Sequence, residues 1–561
     1  MDTSKVLATF YGDKDFPVEW KDEEEKKLFW FYDDNHVPFP ITPMFFSMYG
    51  WWGPTCHYLF RRFDVPTGEY WPGKVINGYL YSAIVSREPK DAAEGGKYFG
   101  WIMPTYATNF LDWWEKRYLP EVLRNFEYID SFDAENATLQ ELMIYLEEMY
   151  DIQERHFRLH WILNWAQFTA SMGFVQATKE LIGDVDPDIL GKVNVSQADR
   201  NWDSLKALWQ LKEKAKADSE LSGIFKNTDK AADIGSNLEA SAKGKAFMKD
   251  VIKYSEEFGY KAVYPHEYIY PLYVEDPTPI LEQIQSYLAS DFDYNAVYDR
   301  CIKEQKEAIA YLRKQLAGKS EEVKKKWEEA LDLNFRMLPL TPDHHFYFDQ
   351  GTFGRMRLVL MRVARKMVKE GLLDDQEDVL YLEYEQLRRY VGDPKNYPGR
   401  KLIAEAKKAR EEAFKIKPRD WVGTVTQANM YEEPYHTLWG YPEKFERERE
   451  GKKVKGEIRG LAGSPGVVEG IARIVKSPQE FDAVKQGDIM VCIMTNPAWV
   501  VVFSKIAAIV TDAGGVLSHS AVVAREFMIP GVVGTGSATK EIKSGDKVRV
   551  DGDKGVVTIL S

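Results

Sequence analysis

Residues 506–527 read IAAIVTDAGGVLSHSAVVAREF. The opening IAAIV, rich in β-branched side chains, predicts a short buried strand over 506–510. Gly514 and Gly515 let the backbone turn sharply after it and approach a ligand closely. Ser518 is a good N-cap and AVVAREF has helix-forming character, so His519 falls in the first turn of a helix. Free N–H groups and the positive dipole end favour an anion there. A phosphorylated imidazole carries such a charge, and histidine leaves readily from phosphorus, which suits a relay. Arg525, six residues on, is a candidate partner for phosphate oxygens. Alone, a histidine at a helix start is more often a cap or a core residue, so the surrounding sequence has to carry the reading.

Working outward, LAGSPGVVEGIARIV (461–475) reads as a Gly/Pro turn and a strand, and GDIMVCIM (487–494) as another strand. IPGVVGTGSAT (529–539) follows the helix, and KVRVDGDKGVVTIL (547–560) reads as a hairpin turning at Asp551, Gly552, Asp553 and Gly555. Strands outnumber helices, which predicts a compact layered α/β domain. Residues 459–561 carry LAGSPGVVEG, GDIMV, TNPAWV, AAIVTDAGGVLSHSAVVAREFMIPGVVGTGSAT and VRVDGDKGVV. This set resembles the mobile phosphohistidine domain of phosphoenolpyruvate synthases and pyruvate phosphate dikinases. The resemblance implies a swivelling β/β/α domain in which His519 takes a phosphoryl group derived from ATP and carries it to a second site. Gly514, Gly515, Ser518 and Arg525 would form the phosphate environment. The dikinases place a regulatory threonine two residues before the histidine; here Leu517 stands there, so that regulation is not expected.

The rest of the chain reads differently. At 561 residues it is too long for one core. The net charge of -13 argues against a nucleic-acid surface. The three cysteines, Cys56, Cys301 and Cys492, are far apart and form neither a disulfide framework nor a zinc spacing, so a reducing, cytoplasmic setting is expected. The first sixteen residues have no apolar core of a signal peptide, and no run reaches the roughly 18 apolar residues of a membrane helix. Residues 107–185, 200–257, 278–332, 352–370 and 400–416 have helical patterns. Residues 29–81 are crowded with aromatics, and prolines at 38, 40, 43 and 54 predict irregular structure there. The expected organisation is a multidomain α/β protein. A mainly helical, aromatic-rich acceptor-binding domain (1–445) is followed by a charged linker (446–458) and the phosphohistidine domain (459–561).

Residues 1–445 contain no Gly-rich phosphate loop. The family's phosphoenolpyruvate-binding barrel does not follow the phosphohistidine domain, so phosphoenolpyruvate is not expected as donor or product. ATP and Mg2+ are therefore expected on a partner, an ATP-grasp-type subunit. Two stretches, FGYKAVYPHEYIYPLYVEDPTPIL (258–281) and LPLTPDHHFYFDQGTFGRMRLVLMRVARKMVKEGLLDDQEDVLYLEYEQL (338–387), resemble the substrate domain of rifampin phosphotransferases. The usual Gly-His-Arg is replaced by Gly259-Tyr260-Lys261, which keeps the charge but loses the bidentate fork. The division of labour is similar to that of the histidine-bearing subunits of phenylphosphate synthases. That resemblance implies phenol, ATP and water going to phenylphosphate, AMP and phosphate. Another hydroxyl acceptor such as an antibiotic, or a non-catalytic scaffold subunit, are the alternatives.

A phenol needs an apolar slot, a base for its hydroxyl and cations for the phosphoryl group. His344 and His345, and His266 and Glu267, are candidates within the family-like stretches. Lys261, Arg355 and Arg357 are candidate cations, and Phe45, Phe46, Trp51 and Trp52 candidate walls. His156 and His160 have i, i+4 spacing, as metal ligands on one helix face do. No third ligand is evident beside them, so no metal site is expected and core packing or pocket lining is preferred.

Overall fold

Five strands, β1 (Val6–Phe10), β2 (Phe29–Tyr32), β3 (Gly73–Ile76), β4 (Tyr79–Ser82) and β5 (Trp421–Thr426), form one antiparallel sheet in the order β1-β5-β2-β4-β3. The chain thus returns to its own beginning before it enters the C-terminal domain. These strands belong to a computed structural model that describes residues 5–560 except 35, 49–52, 229, 263, 265, 291, 428–440, 442–444, 446–455, 476–477, 496–498, 504, 516–517 and 528. Side chains at 187, 188, 231, 290, 478, 479, 482, 500, 501, 519, 522 and 526 also lie outside the description.

The aromatic front is therefore only partly irregular: residues 36–42, with Pro38 and Pro40, and residues 64–72 lie outside helices and strands, but its aromatic runs make β2 and β4 because such residues pack well on a pleated surface. Two of its prolines start helices. Pro43 opens a helix over Pro43–Ser47, capped by Thr42, and Pro54 lies in the first turn of a helix over Gly53–Phe63.

Behind the sheet lie the helices. The longest, α1 (Leu139–Leu181), has 43 residues and starts in a capping box of Thr138 and Glu141. Against it pack α2 (Glu321–Met337) and α3 (Phe353–Lys369). A short helical turn (Leu340–His344) and a π-helical stretch (His345–Thr352) join these two. One apolar cluster runs from Met44, Phe45, Tyr145, Phe157 and Phe353 into Met490, Cys492, Trp499 and Phe503 of the C-terminal domain.

The C-terminal domain is an eight-stranded sheet. Its strands are β6 (Glu457–Arg459), β7 (Leu461–Ser464), β8 (Val467–Val475), β9 (Ile489–Cys492), β10 (Ala508–Thr511), β11 (Gly531–Val533), β12 (Lys547–Asp551) and β13 (Val556–Ile559). They lie in the order β6-β13-β12-β8-β9-β10-β11-β7. The central run β8-β9-β10-β11 is parallel, and the flanking pairs are antiparallel. Parallel neighbours need a crossover; α4 (His519–Glu526) provides it between β10 and β11. Tyr441 and Phe445 are buried against Phe29 and Trp421 of the N-terminal domain, while Glu457 already pairs in the C-terminal sheet, two residues ahead of the expected start. Among the described residues, no helix is long and apolar enough to cross a membrane.

Gly423 holds the sheet closure. It pairs with Phe10 on one side and Phe29 on the other, at φ +91°, and a Cβ there would lie 2.2 Å from the Leu28 carbonyl oxygen. We expect Gly423→Ala to destabilise the N-terminal domain by about 2 kcal/mol or more, read as a lower unfolding midpoint in thermal denaturation.

Candidate functional site

His519 is the first residue of α4, at the end of a strand–turn–helix unit that begins with β10. Its side chain lies outside the described residues. Gly514 in the turn has φ +100°, a conformation that side chains rarely adopt. Ser518 occupies the N-cap position, but its hydroxyl makes no capping bond: it is buried without a hydrogen-bond partner. A buried hydroxyl at a helix start, beside free N–H groups, is ready for an incoming anion. Gly515 accepts the Ser518 N–H at 3.0 Å. Arg525 is half-buried in the last turn, about 9 Å along the helix axis from His519.

A second constellation lies in the helical domain. Asp349 is buried in the π-helical stretch, and imidazoles approach its carboxylate from several directions. His345 Nδ1 lies 2.5 Å from Oδ2. His344 Nε2 is 3.8 Å from the same oxygen, and His160 Nε2 and His266 Nε2 are 3.6 and 3.7 Å from Oδ1. His36 stacks edge-on to His266 at 5.2 Å and holds Asp33 through Nδ1 at 2.7 Å. Phe157, Trp161, Phe348 and Phe353 wall the group.

The charges follow from this burial. Burial pushes the His160 ring down to about 4, against the pull of Asp349. His344 is pushed well below the ordinary histidine range, by burial first and then by His345 and His160. His266 is lowered by burial, with Asp349 opposing. Burial alone would raise Asp349, but the imidazoles of His266 and His345 hold it well below the usual carboxylate range. The result is an anionic carboxylate beside the buried rings of His160, His266 and His344, which burial disfavours in their charged form. His345 differs from the others: its side chain is 42% exposed, against 5% for Asp349. With Nδ1 bound to the acid, its Nε2 faces outward, as a base oriented by a carboxylate does.

The other expected residues have different fates. Glu267 is buried and accepts from Thr42 N, Thr42 Oγ1 and Tyr268 N at 2.7–2.8 Å, so its carboxylate staples the Pro43 helix start to the 260s segment. It does not face an acceptor. Arg355 is not a free cation either. Its guanidinium grips Asp130 at 2.6–3.1 Å and lies 3.8 Å above the Phe126 and Tyr260 rings. Arg357 is likewise held by Glu275 and the Tyr268 carbonyl. Lys261 is buried with its Nζ 5.6 Å from the Tyr273 ring centroid, and it has no acidic partner among the described residues. Trp51 and Trp52 lie outside the described residues.

Comparison with known proteins bears on both constellations. Residues 484–555 match the model of the mobile domain of PEP-utilising enzymes, and residues 138–340 match the fourth domain of rifampicin phosphotransferase. The C-terminal domain is a PEP-utilising mobile domain. The chain is 27% identical over 97% of its length to the chondramide synthase cmdD of Chondromyces crocatus, and 24% identical over 95% to the uncharacterised phosphotransferase YvkC of Bacillus subtilis. It is 31% identical over 51% of its length to the rifampicin phosphotransferase of Bacillus cereus. It spans 14%, 62% and 31% of those proteins' own lengths.

Within the helical domain, the paired spacing of His156 and His160 is not a shared ligand set. His156 Nε2 accepts from Asn125 Nδ2 at 3.0 Å, and Nδ1 donates to Thr352 Oγ1 at 2.8 Å, which donates to the Tyr347 carbonyl. His156 thereby ties α1 to the end of the π-helical stretch. The centre of the cluster, Asp349, was absent from the sequence candidates. Its signal was a single carboxylate inside the apolar run FYFDQGTF (346–353).

Burial holds the His156 ring neutral, with its pKa lowered to about 3. The unfolded chain takes up that proton near about pH 6.5, so the folded state binds fewer protons and loses stability as pH falls below that value. We expect His156→Ala to cost about 2–4 kcal/mol, because Asn125 and Thr352 lose a partner and a cavity opens. His156→Gln, whose amide can serve both partners, should lose less stability than wild type between about pH 6.5 and pH 5, as measured by urea unfolding at each pH.

Proposed function

We propose that this chain is the histidine-bearing, acceptor-binding part of an ATP-dependent phosphotransferase, with a small phenolic hydroxyl as acceptor. The observation that carries the reading is the His345–Asp349 pair, a partly exposed imidazole held by a buried carboxylate beside an aromatic-walled cluster. It lies in a chain that also contains a mobile domain whose helix starts at His519.

His519 carries the phosphoryl group. In transfer, the phosphorus–nitrogen bond to His519 breaks as the acceptor oxygen bonds to phosphorus. The hydroxyl proton passes to His345 Nε2, and Asp349 keeps that ring oriented. Lys261, with no acidic partner among the described residues, offers charge to the phosphoryl oxygens. It lies three residues from Tyr264, whose ring packs 6.3 Å from Trp499 of the mobile domain. The acceptor-side segment and the mobile domain therefore meet.

Charging of His519 is assigned to a separate ATP-grasp-type chain holding ATP and Mg2+. The three cysteines are buried and form no disulfide, which favours the cytoplasm. A second reading, with a larger acceptor such as an antibiotic, is favoured by the similarity to rifampicin phosphotransferases.

With the ATP-binding partner added, β-labelled ATP should put acid-labile, alkali-stable label on the wild type and none on His519→Ala. Label or transfer persisting in His519→Ala would end the carrier assignment. AMP release should depend on phenol and not on rifampicin; the reverse selects the antibiotic reading. His345→Ala should retain the label but slow its transfer to acceptor by about 10²–10⁴-fold.

A further inference from the structure

The cluster around Asp349 has a feature that the transfer chemistry above does not use. Neither nitrogen of the buried His344 ring is satisfied by a close partner. Its Nδ1 makes no hydrogen bond of good geometry, although the Leu340 carbonyl one turn back favours a proton on the ring. Its Nε2 has Asp349 Oδ2 at 3.8 Å. His160 Nε2 reaches Asp349 Oδ1 at 3.6 Å, also beyond hydrogen-bond length. One ligand atom from each of His160, His344 and Asp349 lies within 4.8 Å of the others. Two ligands that share a tetrahedral ion at 2.0–2.1 Å stand about 3.3–3.4 Å apart. Both imidazoles are thus beyond hydrogen-bond length of the carboxylate: His160 Nε2 stands within about 0.3 Å of the spacing that an ion shared through Oδ1 imposes, and His344 Nε2 faces Oδ2, the other oxygen.

The backbone explains why these residues converge. His344 and Asp349 are five residues apart, which in an α-helix places them about 140° around the axis from each other. The π-helical stretch from His345 closes its turns at i, i+5, so the two side chains come onto one face. His160 meets them from α1.

We propose that His160, His344 and Asp349 bind one divalent transition-metal ion of the zinc class, distinct from any Mg2+ that accompanies ATP. Two imidazoles and a carboxylate suit such an ion and disfavour Mg2+ or Ca2+, which take oxygen ligands. Three protein ligands leave a coordination position open, as in catalytic rather than structural sites. The surroundings fit. His345 holds Oδ2 as an outer partner and leaves Oδ1, the oxygen nearer His160, for the ion. The buried carboxylate and the two imidazoles face one another across a space lined by Phe157 and Phe348. The ion would offer a Lewis acid to an oxygen ligand, and its binding does not depend on the identity of the acceptor.

The test uses the full chain stripped with a chelator and dialysed against Zn2+ or Co2+. Elemental analysis should give about one tightly held equivalent per chain. The Co2+ form should show the visible d–d bands of a four- or five-coordinate site, and Zn2+ should raise the unfolding midpoint. His160→Ala, His344→Ala and Asp349→Asn should each lose the ion, with folding checked by circular dichroism. His57→Ala, on a histidine outside the cluster that bonds the Glu69 carbonyl, should keep it. A wild-type chain holding less than about a tenth of an equivalent overturns the proposal. So does an ion that survives all three substitutions. The wild-type measurement stands even if a variant fails to fold.

Discussion

A carboxylate buried at Asp349 is the constraint around which the helical domain is arranged. Taking such a charge out of water costs several kcal/mol unless partners compensate it. Here the compensation comes from parts of the chain that are remote in sequence: His266 on the 260s segment and His345 on the stretch that joins α2 to α3. The surrounding scaffold is built from ties of the same kind. Glu267 binds the start of the Pro43 helix, His156 binds α1 to Thr352, and Arg355 binds Asp130 between two rings. These polar groups are spent on position. His345 keeps an outward-facing ring, and Lys261 has no acidic partner among the described residues.

The mobile domain joins this arrangement through apolar contact. Trp499 packs with Phe481 and Tyr264, and the buried cluster of the helical domain continues into Met490 and Phe503. The segment that carries His266 and Lys261 therefore also carries the docking contact, so a change in the seating of one domain is felt at residues facing the other's chemistry.

Much of the C-terminal domain was legible because its elements are local. IAAIV, the glycine turn and AVVAREF are consecutive, and strand and helix periods differ enough to separate them. The long helices were legible for the same reason. The N-terminal sheet was not, since its strands are four to six residues long and the strand between β1 and β2 comes from residues 421–426. In the candidate site, His266, His344 and His345 stood out as polar residues in family-like stretches. Asp349 did not, because its link to His344 follows a π-helical spacing that a 3.6-residue period does not display. Arg355 and Glu267 show the opposite failure. A charge in the right segment looks available until its partner, distant in sequence, is known.

The closure of the sheet by β5 also governs how this protein is made. Val6 pairs with Thr426, and Phe29 with Gly423. During synthesis the amino-terminal strands emerge first and wait, with β2 exposing an unpaired edge, until almost the whole helical domain has left the ribosome. The mobile domain, whose sheet is drawn entirely from residues after 456, has a shorter delay: its first strand, β6, waits only for β13, which follows within the same domain. The nascent chain is therefore most exposed to mispairing in its oldest residues, and that period ends only when Trp421–Thr426 arrives to separate β1 from β2.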